Sequence, residues 1–325
     1  MAVYTKLAAA EIKSLVNQYD IGEMKDFRGI EEGSENTNYL IQASAAKHIL
    51  TIYEKRVQPE DLPFFLKLTE HLADRGIPCP RPVHDKNGNV LKEIKGKNAA
   101  IVSFLNGKSV SKITPTHCQE VGEMLAKMHL AADGFPLQRH NNIGKESWRE
   151  LFGKIAGRIS EIPEIKSDII NQALDKLDNE WPANLPAGII HADLFPDNVF
   201  FTRDKLTGVI DFYFACNDFL AYDLAICVNA WCFNAEWNYL AGRAEAMFAG
   251  YDSVRKITPK ESENFPILLL GAALRFLLTR TYDWLNPLTR KRDPQEYWQK
   301  LNFFLNQRLP QPLSPPCNPG CGKGG

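Results

Sequence analysis

The residues best suited by type and spacing to do chemistry lie in Ile189-Ile190-His191-Ala192-Asp193-Leu194-Phe195-Pro196-Asp197-Asn198-Val199-Phe200-Phe201, followed by Ile210-Asp211-Phe212. An apolar strand delivers His191 and Asp193 into a tight loop, and Pro196 prevents a helix there. Asn198 stands where the next apolar run begins. A hairpin over the two runs returns Asp211 at the end of its far strand, so Asp193, Asn198 and Asp211 converge at one rim. Two carboxylates and an amide so arranged suit phosphoryl transfer. One carboxylate, Asp193, orients and deprotonates an attacking hydroxyl. Asn198 and Asp211 supply the hard oxygen ligands of Mg2+, which takes few protein carboxylates. Alone, His-x-Asp-x4-Asn is a weak signal, and Asp197 and Asn198 also read as turn formers. For His191, bracing the loop is favoured over ligation. A zinc site lacks second and third His or Cys residues at ligand spacing.

The elements that must hold these groups follow from periodicity. Residues 5–19 read as a helix with Thr5 as N-cap. MKDFRGI, TNYLIQA and HILTIYE are short, β-branched and aromatic, and predict three antiparallel strands. A helix is expected over 61–75, ending at Gly76. Asn87-Gly88 signals a two-residue hairpin, and AAIVSF is a further strand. After Gly107 the chain turns helical. Thr116-x-x-Gln119 and Ser147-x-x-Glu150 read as capping boxes, Trp148, Leu151, Phe152, Ile155 and Ile159 form one apolar face, and Ser167 is a candidate cap. Strands centre on Phe200 and Val209, and helices resume to about 308. The expected fold is α+β and bilobal. A small antiparallel β-rich lobe spans 1–105, a large mainly helical lobe 106–309, and a Pro/Gly-rich, disordered tail 310–325. A cleft at such a boundary is the default binding site.

Composition removes other classes. With 38 basic against 39 acidic side chains, the net charge of −1 disfavours a general nucleic-acid binder. The longest apolar run, about Phe265–Leu274, falls short of the roughly 20 residues that span a bilayer. Seven irregularly spaced cysteines, and charges where a secretory apolar core would sit, predict a reduced, cytoplasmic protein without a disulfide framework. Cys317-x3-Cys321 is a weak zinc signal. Oligomeric state is not encoded in any of this.

His191-Ala192-Asp193-Leu194-(x3)-Asn198, with Asp211 after it, resembles the catalytic loop and metal aspartate of the aminoglycoside-phosphotransferase and choline-kinase superfamily, relatives of the protein kinases. Ala100–Gly107 resembles that family's hinge strand, Gly122–His129 its first large-lobe helix, and Asp218–Ala225 the segment after the metal aspartate. The resemblance covers roughly residues 20–305 and implies ATP and Mg2+ as cofactors. Within the superfamily, Gly33–Tyr39, Asp223–Phe233 and Ala273–Arg280 look most like the homoserine kinase branch, which implies L-homoserine as substrate and O-phospho-L-homoserine, on the way to threonine, as product.

The resemblance also implies a nucleotide site. Gly33 lets the backbone approach phosphates, Ser34, Asn36 and Thr37 offer short donors, and backbone groups from Ser103 to Leu105 read the adenine edge. One departure stands out. The third-strand cation is replaced by Thr51, and its helix glutamate partner falls near Phe65. Lys47, Lys55 or Arg56 are candidate substitutes. For the substrate carboxylate, Arg275 is preferred and Arg280 is second, with Arg280–Asp283 a plausible ion pair. A buried structural ion pair is the equal alternative for each arginine. Asp223 is expected to hydrogen-bond the loop backbone or His191, and Trp231 and Phe233 to be core. Two other readings stay open: a kinase for a choline-like, sugar or aminoglycoside alcohol, and an inactive nucleotide-binding pseudokinase.

Overall fold

The computed structural model describes residues 4–31, 36–54, 57–286 and 292–306; the expected tail, 310–325, lies outside them. The chain divides into two compact units, one of 1–111, 131–139 and 196–215, the other of 112–130, 140–195 and 216 onward.

The first unit is built on a five-stranded antiparallel sheet in the order β1-β2-β3-β5-β4. Its strands are β1 (Met24–Ile30), β2 (Thr37–Ala43), β3 (Lys47–Ile52), β4 (Lys92–Ile94) and β5 (Lys97–Ser103). The first three match the expected runs. Alternation sorts their side chains to two faces. Tyr39, Ile41, Leu50, Ile52, Ala99 and Ile101 are buried with Ile12, Leu15 and Val16 of α1 (Ala9–Val16). Each such aliphatic burial is worth about 1.5–3 kcal/mol. On the opposite face the register aligns Arg28 with Leu40, Ile30 with Asn38, Asn38 with Thr51, and Ile49 with Val102. There Ile30, Leu40, Ile49 and Val102 are only half-buried.

Two local expectations are corrected in this unit. Helix α1 is shorter than 5–19, and Thr5 is not its cap. The Ala8 amide donates to the Glu11 carboxylate at 2.7 Å, while Thr5 is drawn to the ends of two inner strands, its amide donating to Thr37 Oγ1 and its hydroxyl to Glu54. Asn87-Gly88 does turn, with Gly88 at φ +83°, but no paired strands flank it. The Asp85 carboxylate captures the amides of Asn87 and Asn89 and the Lys92 ammonium, closing a local loop. The two-residue hairpin falls instead at Lys95-Gly96, both at positive φ, between β4 and β5. Helix α2 (Leu62–Asp74) is as expected, with Gly76 beyond it at φ +82°.

The hairpin of β7 (Val199–Thr202) and β8 (Lys205–Val209) belongs to this unit. Lys108 and Phe201 exchange backbone bonds, and the Val209 amide donates to Pro78 O at 2.8 Å. Gly107 permits the approach. It sits at φ +117°, and a Cβ there would lie 2.5 Å from Thr207 Oγ1, a position closed to any other residue.

The second unit holds the short ladder of β6 (Ala187–Ile190) with β9 (Cys216–Phe219) and seven described helices. These are α3 (Pro115–Ala131), α4 (Trp148–Ala156), α5 (Ser167–Glu180), α6 (Leu220–Trp231), α7 (Ala241–Val254), α8 (Pro259–Leu285) and α9 (Gln295–Asn306). Three cap expectations shift. Thr114, not Thr116, opens α3: its hydroxyl accepts from the His117 amide, and His117 Nδ1 accepts from the Thr114 amide. Ser147 donates to Gly144 O in a preceding 3-10 turn instead of capping α4. Ser167 is the first helical residue of α5 and makes no cap bond. Helix α8 is longer than the apolar run suggested. By length and composition it could cross a membrane, yet 78% of that window is buried in the protein, which makes it the unit's core helix.

Candidate active site

Strand β6 ends at Ile190 and the chain enters His191-Ala192-Asp193. Ala192 adopts the left-handed conformation, φ +61°, which costs a residue with a Cβ about 1–2 kcal/mol. Groups from two helices hold the loop there. From α6, Asp223 accepts the amides of His191 at 2.7 Å and Ala192 at 2.9 Å. From α8, the Arg275 guanidinium donates to Ala192 O. At the end of α6, Trp231 Nε1 donates to Leu194 O at 2.8 Å. Within the loop, the Asp193 amide donates to His191 Nδ1 at 3.2 Å and Asp193 O accepts from Phe195. The Asp193 side chain is half-buried.

Asp223 is fully buried. Burial pushes its carboxyl upward, but His129, 3.2 Å away, and the amide and charge of His191 outweigh burial and hold it below the usual carboxylate range. It is the ionised group around which the loop is wound. The other ring nitrogen of His129 meets the Tyr251 hydroxyl at 2.8 Å. Sequence reasoning missed His129 and Trp231 as loop supports. Trp231 is core as expected, but its indole N–H also braces Leu194.

In the first unit, the β7–β8 ladder brings Asn198 and Asp211 to one end of the same hairpin. Val199 pairs with Val209, the Ile210 amide donates to Asn198 O at 2.9 Å, and Asp211 is the next residue. Asp211 is also left-handed, φ +66°, and opens a 3-10 turn over Phe212–Phe214. Among the described residues no group of three or more His, Cys, Asp or Glu side chains is arranged for a metal. A carboxylate and an amide oxygen at one hairpin end nevertheless fit Mg2+, which keeps several waters and phosphate oxygens as ligands.

The expected nucleotide residues divide. Gly33 and Ser34, like the candidate cations Lys55 and Arg56, lie outside the described residues. Asn36 and Thr37 are engaged within the protein. Both are buried and bound to Glu54: Asn36 Oδ1 accepts the Glu54 amide, and the Thr37 hydroxyl donates to the carboxylate at 2.7 Å. Ser103 is also committed, its amide donating to Arg81 O and its hydroxyl accepting from the Arg81 amide. The Phe104 amide donates to Lys47 O. Leu105 is thus the hinge residue left without an observed backbone bond among the described residues. Thr51 donates to Asn38 Oδ1 across the strands, and Lys47 is exposed over Phe104.

Neither substrate arginine is an open fork. Arg275 is 2% exposed and spent on Ala192 O, with its guanidinium over Phe276. Arg280 pairs with Glu296 of α9 rather than showing the expected Asp283 bond. Glu296 also binds Lys300, whose ammonium donates to Asn229 O at 2.7 Å. Burial depresses the Lys300 ammonium. It also raises the Glu296 carboxyl, but the two cations more than reverse that. The structural ion pair weighed for each arginine describes Arg280; Arg275 is bonded to a backbone carbonyl instead. Tyr297 lies in the fields of Arg280, Glu296, Asp193 and Arg275 together.

An antiparallel β-rich unit, a helical unit, and the loop and hairpin just described define a protein-kinase-like phosphotransferase. Residues 26–257 match the profile of the phosphotransferase enzyme family (APH), and the chain belongs to that family. It is 50% identical over 307 residues to a homoserine kinase of Xanthobacter autotrophicus, covering 93% of this chain and 96% of that protein. It is also 50% identical over 313 residues to a homoserine kinase of Paramagnetospirillum magneticum, with the same coverage. Among solved structures the fold recurs in a spectinomycin phosphotransferase complexed with ADP and spectinomycin, with a TM-score of 0.66, 14% identity, and 94% and 96% of the two chains covered. It recurs again in choline kinase from Cryptosporidium parvum Iowa II, with a TM-score of 0.65, 14% identity, and 92% and 94% covered.

Proposed function

We propose that the protein transfers the γ-phosphoryl group of ATP to the hydroxyl of L-homoserine, giving O-phospho-L-homoserine and ADP in threonine biosynthesis. The observation that carries this reading is the half-identity to homoserine kinases along 93% of the chain. The Asp193 carboxylate orients the substrate hydroxyl and accepts its proton as the new O–P bond forms and the bond to the ADP oxygen breaks. Asn198 and Asp211 hold Mg2+, which when bound neutralises phosphate charge. The half-buried sheet face of Ile30, Leu40, Ile49 and Val102 receives the adenine, with the Leu105 backbone reading its edge. Arg275 and Arg280 contribute a positive field near Tyr297 that favours the substrate carboxylate, rather than a bidentate clamp. His191 and Asp223 hold the loop that carries Asp193. Buried free thiols at Cys79, Cys118, Cys216, Cys227 and Cys232 and the use of ATP suit the cytoplasm.

A coupled ADP-release assay across L-homoserine, choline, sugars and aminoglycosides, with and without Mg2+, tests the reading. Turnover should be Mg2+-dependent and far higher with L-homoserine. Preference for any other acceptor would overturn the substrate.

A further inference from the structure

Arg139 is far in sequence from Asp211, yet it touches the segment that carries Asp211. Its Nε and a terminal nitrogen both lie 2.9 Å from Asp61 Oδ2. Asp61 is the residue before α2. A second terminal nitrogen donates to Ala215 O at 3.2 Å, and the guanidinium lies 5.0 Å from the Phe65 ring centroid, on α2. Ala215 closes the 3-10 turn that Asp211 opens. Tyr213, inside that turn, packs edge-on against both Phe65 and Tyr53. The turn is therefore fixed at two points, by aromatic packing on Tyr213 and by a charge-assisted bond on Ala215.

Asp211 needs such fixing. Its left-handed backbone is a conformation that a non-glycine residue keeps only when its surroundings impose it. A guanidinium can satisfy a carboxylate and a carbonyl at once because its donors form a planar fork. A lysine ammonium is a point donor that lacks this fork. The positions expected to carry a cation and its glutamate, Thr51 and near Phe65, hold no charge. Arg139 brings one to the same helix from outside the sheet.

We propose that Arg139 is a positioning residue for Asp211, tying the backbone beyond that carboxylate to the start of α2 so that it faces the metal. The proposal rests on the assignment of Asp211 as a Mg2+ ligand. Loss of a residue that orients a ligand typically weakens metal binding by about 10–100-fold, and that sets the scale of the test.

The test is the Mg2+ dependence of binding of a fluorescent ATP analogue to the full chain, without acceptor substrate, alongside thermal melting. Arg139→Ala and Arg139→Lys should each raise the Mg2+ concentration for half-maximal binding by about 10-fold or more. Affinity for Mg2+-free nucleotide should stay unchanged. Asp61→Asn should act in the same direction, and Arg139→Ala with Asp61→Asn should be no worse than Arg139→Ala alone. A merely structural role would weaken Mg2+-free and Mg2+-bound nucleotide alike, and that result, or a wild-type Mg2+ dependence in Arg139→Lys, would overturn the proposal. A wild type whose nucleotide binding ignores Mg2+ would overturn the metal assignment of Asp211 and the role of Arg139 with it. Homoserine turnover is not part of the readout, so failure of the substrate reading shows separately.

Discussion

Arg275, in the middle of α8, donates a hydrogen bond to the carbonyl oxygen of Ala192, 83 residues earlier in the chain. The same Ala192 gives its amide to Asp223, so the strained residue before Asp193 is gripped through both its N–H and its C=O. Arg275→Met removes one grip and leaves a buried carbonyl without its donor, a cost of about 1–3 kcal/mol. The expected result is a lower melting temperature and a loss of about 10²-fold in kcat, the scale of a small misplacement of a catalytic group. A variant with wild-type kcat would show that the loop does not depend on α8.

Asp223 makes a pH-dependent contribution whose sign follows from its depressed pKa. An unfolded aspartate titrates near pH 4. With the folded value below that, the stabilisation is fully present above about pH 4 and is lost as pH falls through the folded value. Asp223→Asn should therefore be less stable than wild type at neutral pH, by about 1–3 kcal/mol. The gap should narrow in urea unfolding below about pH 4. A gap that stays constant with pH would contradict the ionised assignment.

These supports show what the sequence could and could not reveal. The three strands were readable because each run of β-branched and aromatic residues alternates against its neighbour, and α2 because its apolar face ends at a glycine. Asp193, Asn198 and Asp211 stand out because spacing and residue type carry their chemistry, and Asp223 through the family resemblance of its segment. The partners of Arg280 and Arg139 do not, since both ion pairs join residues distant in sequence: Arg280 with Glu296, and Arg139 with Asp61. Asn36 and Thr37 have the right chemistry for phosphate, but the half-buried Glu54 engages the Asn36 carbonyl and the Thr37 hydroxyl, and only tertiary packing reveals that competition. Thr114-Pro115-x-His117 was legible in principle, had histidine been admitted as a capping partner.

The two aspartates of the site should fail differently. Asp193→Asn should lose about 10²–10⁴-fold in kcat, the span of a positioned base, and bind Mg-ATP as wild type does. Asp211→Asn should lose Mg2+-dependent nucleotide binding itself. Calorimetry with Mg-ATP separates the two, and normal affinity in Asp211→Asn would refute its metal role.

Glu296 sits between Arg280 and Lys300. Glu296→Gln strands two largely buried cations and should lower stability by about 2–4 kcal/mol, somewhat under the cost of breaking a fully buried pair because Glu296 is 30% exposed. Adding Lys300→Met removes one stranded charge and should restore part of the loss. Melting temperatures test this, and a double variant less stable than Glu296→Gln alone would show that Lys300 is not held chiefly by Glu296.

The most direct test of the central claim is phosphorus NMR of a reaction of the wild-type protein with Mg-ATP and L-homoserine, run beside Asp193→Asn. The account predicts a new phosphomonoester resonance, coupled to the methylene protons of the homoserine hydroxyl carbon, in the wild type, and its near-absence in Asp193→Asn. Release of inorganic phosphate without that ester, or ester formation at an undiminished rate in Asp193→Asn, would contradict it.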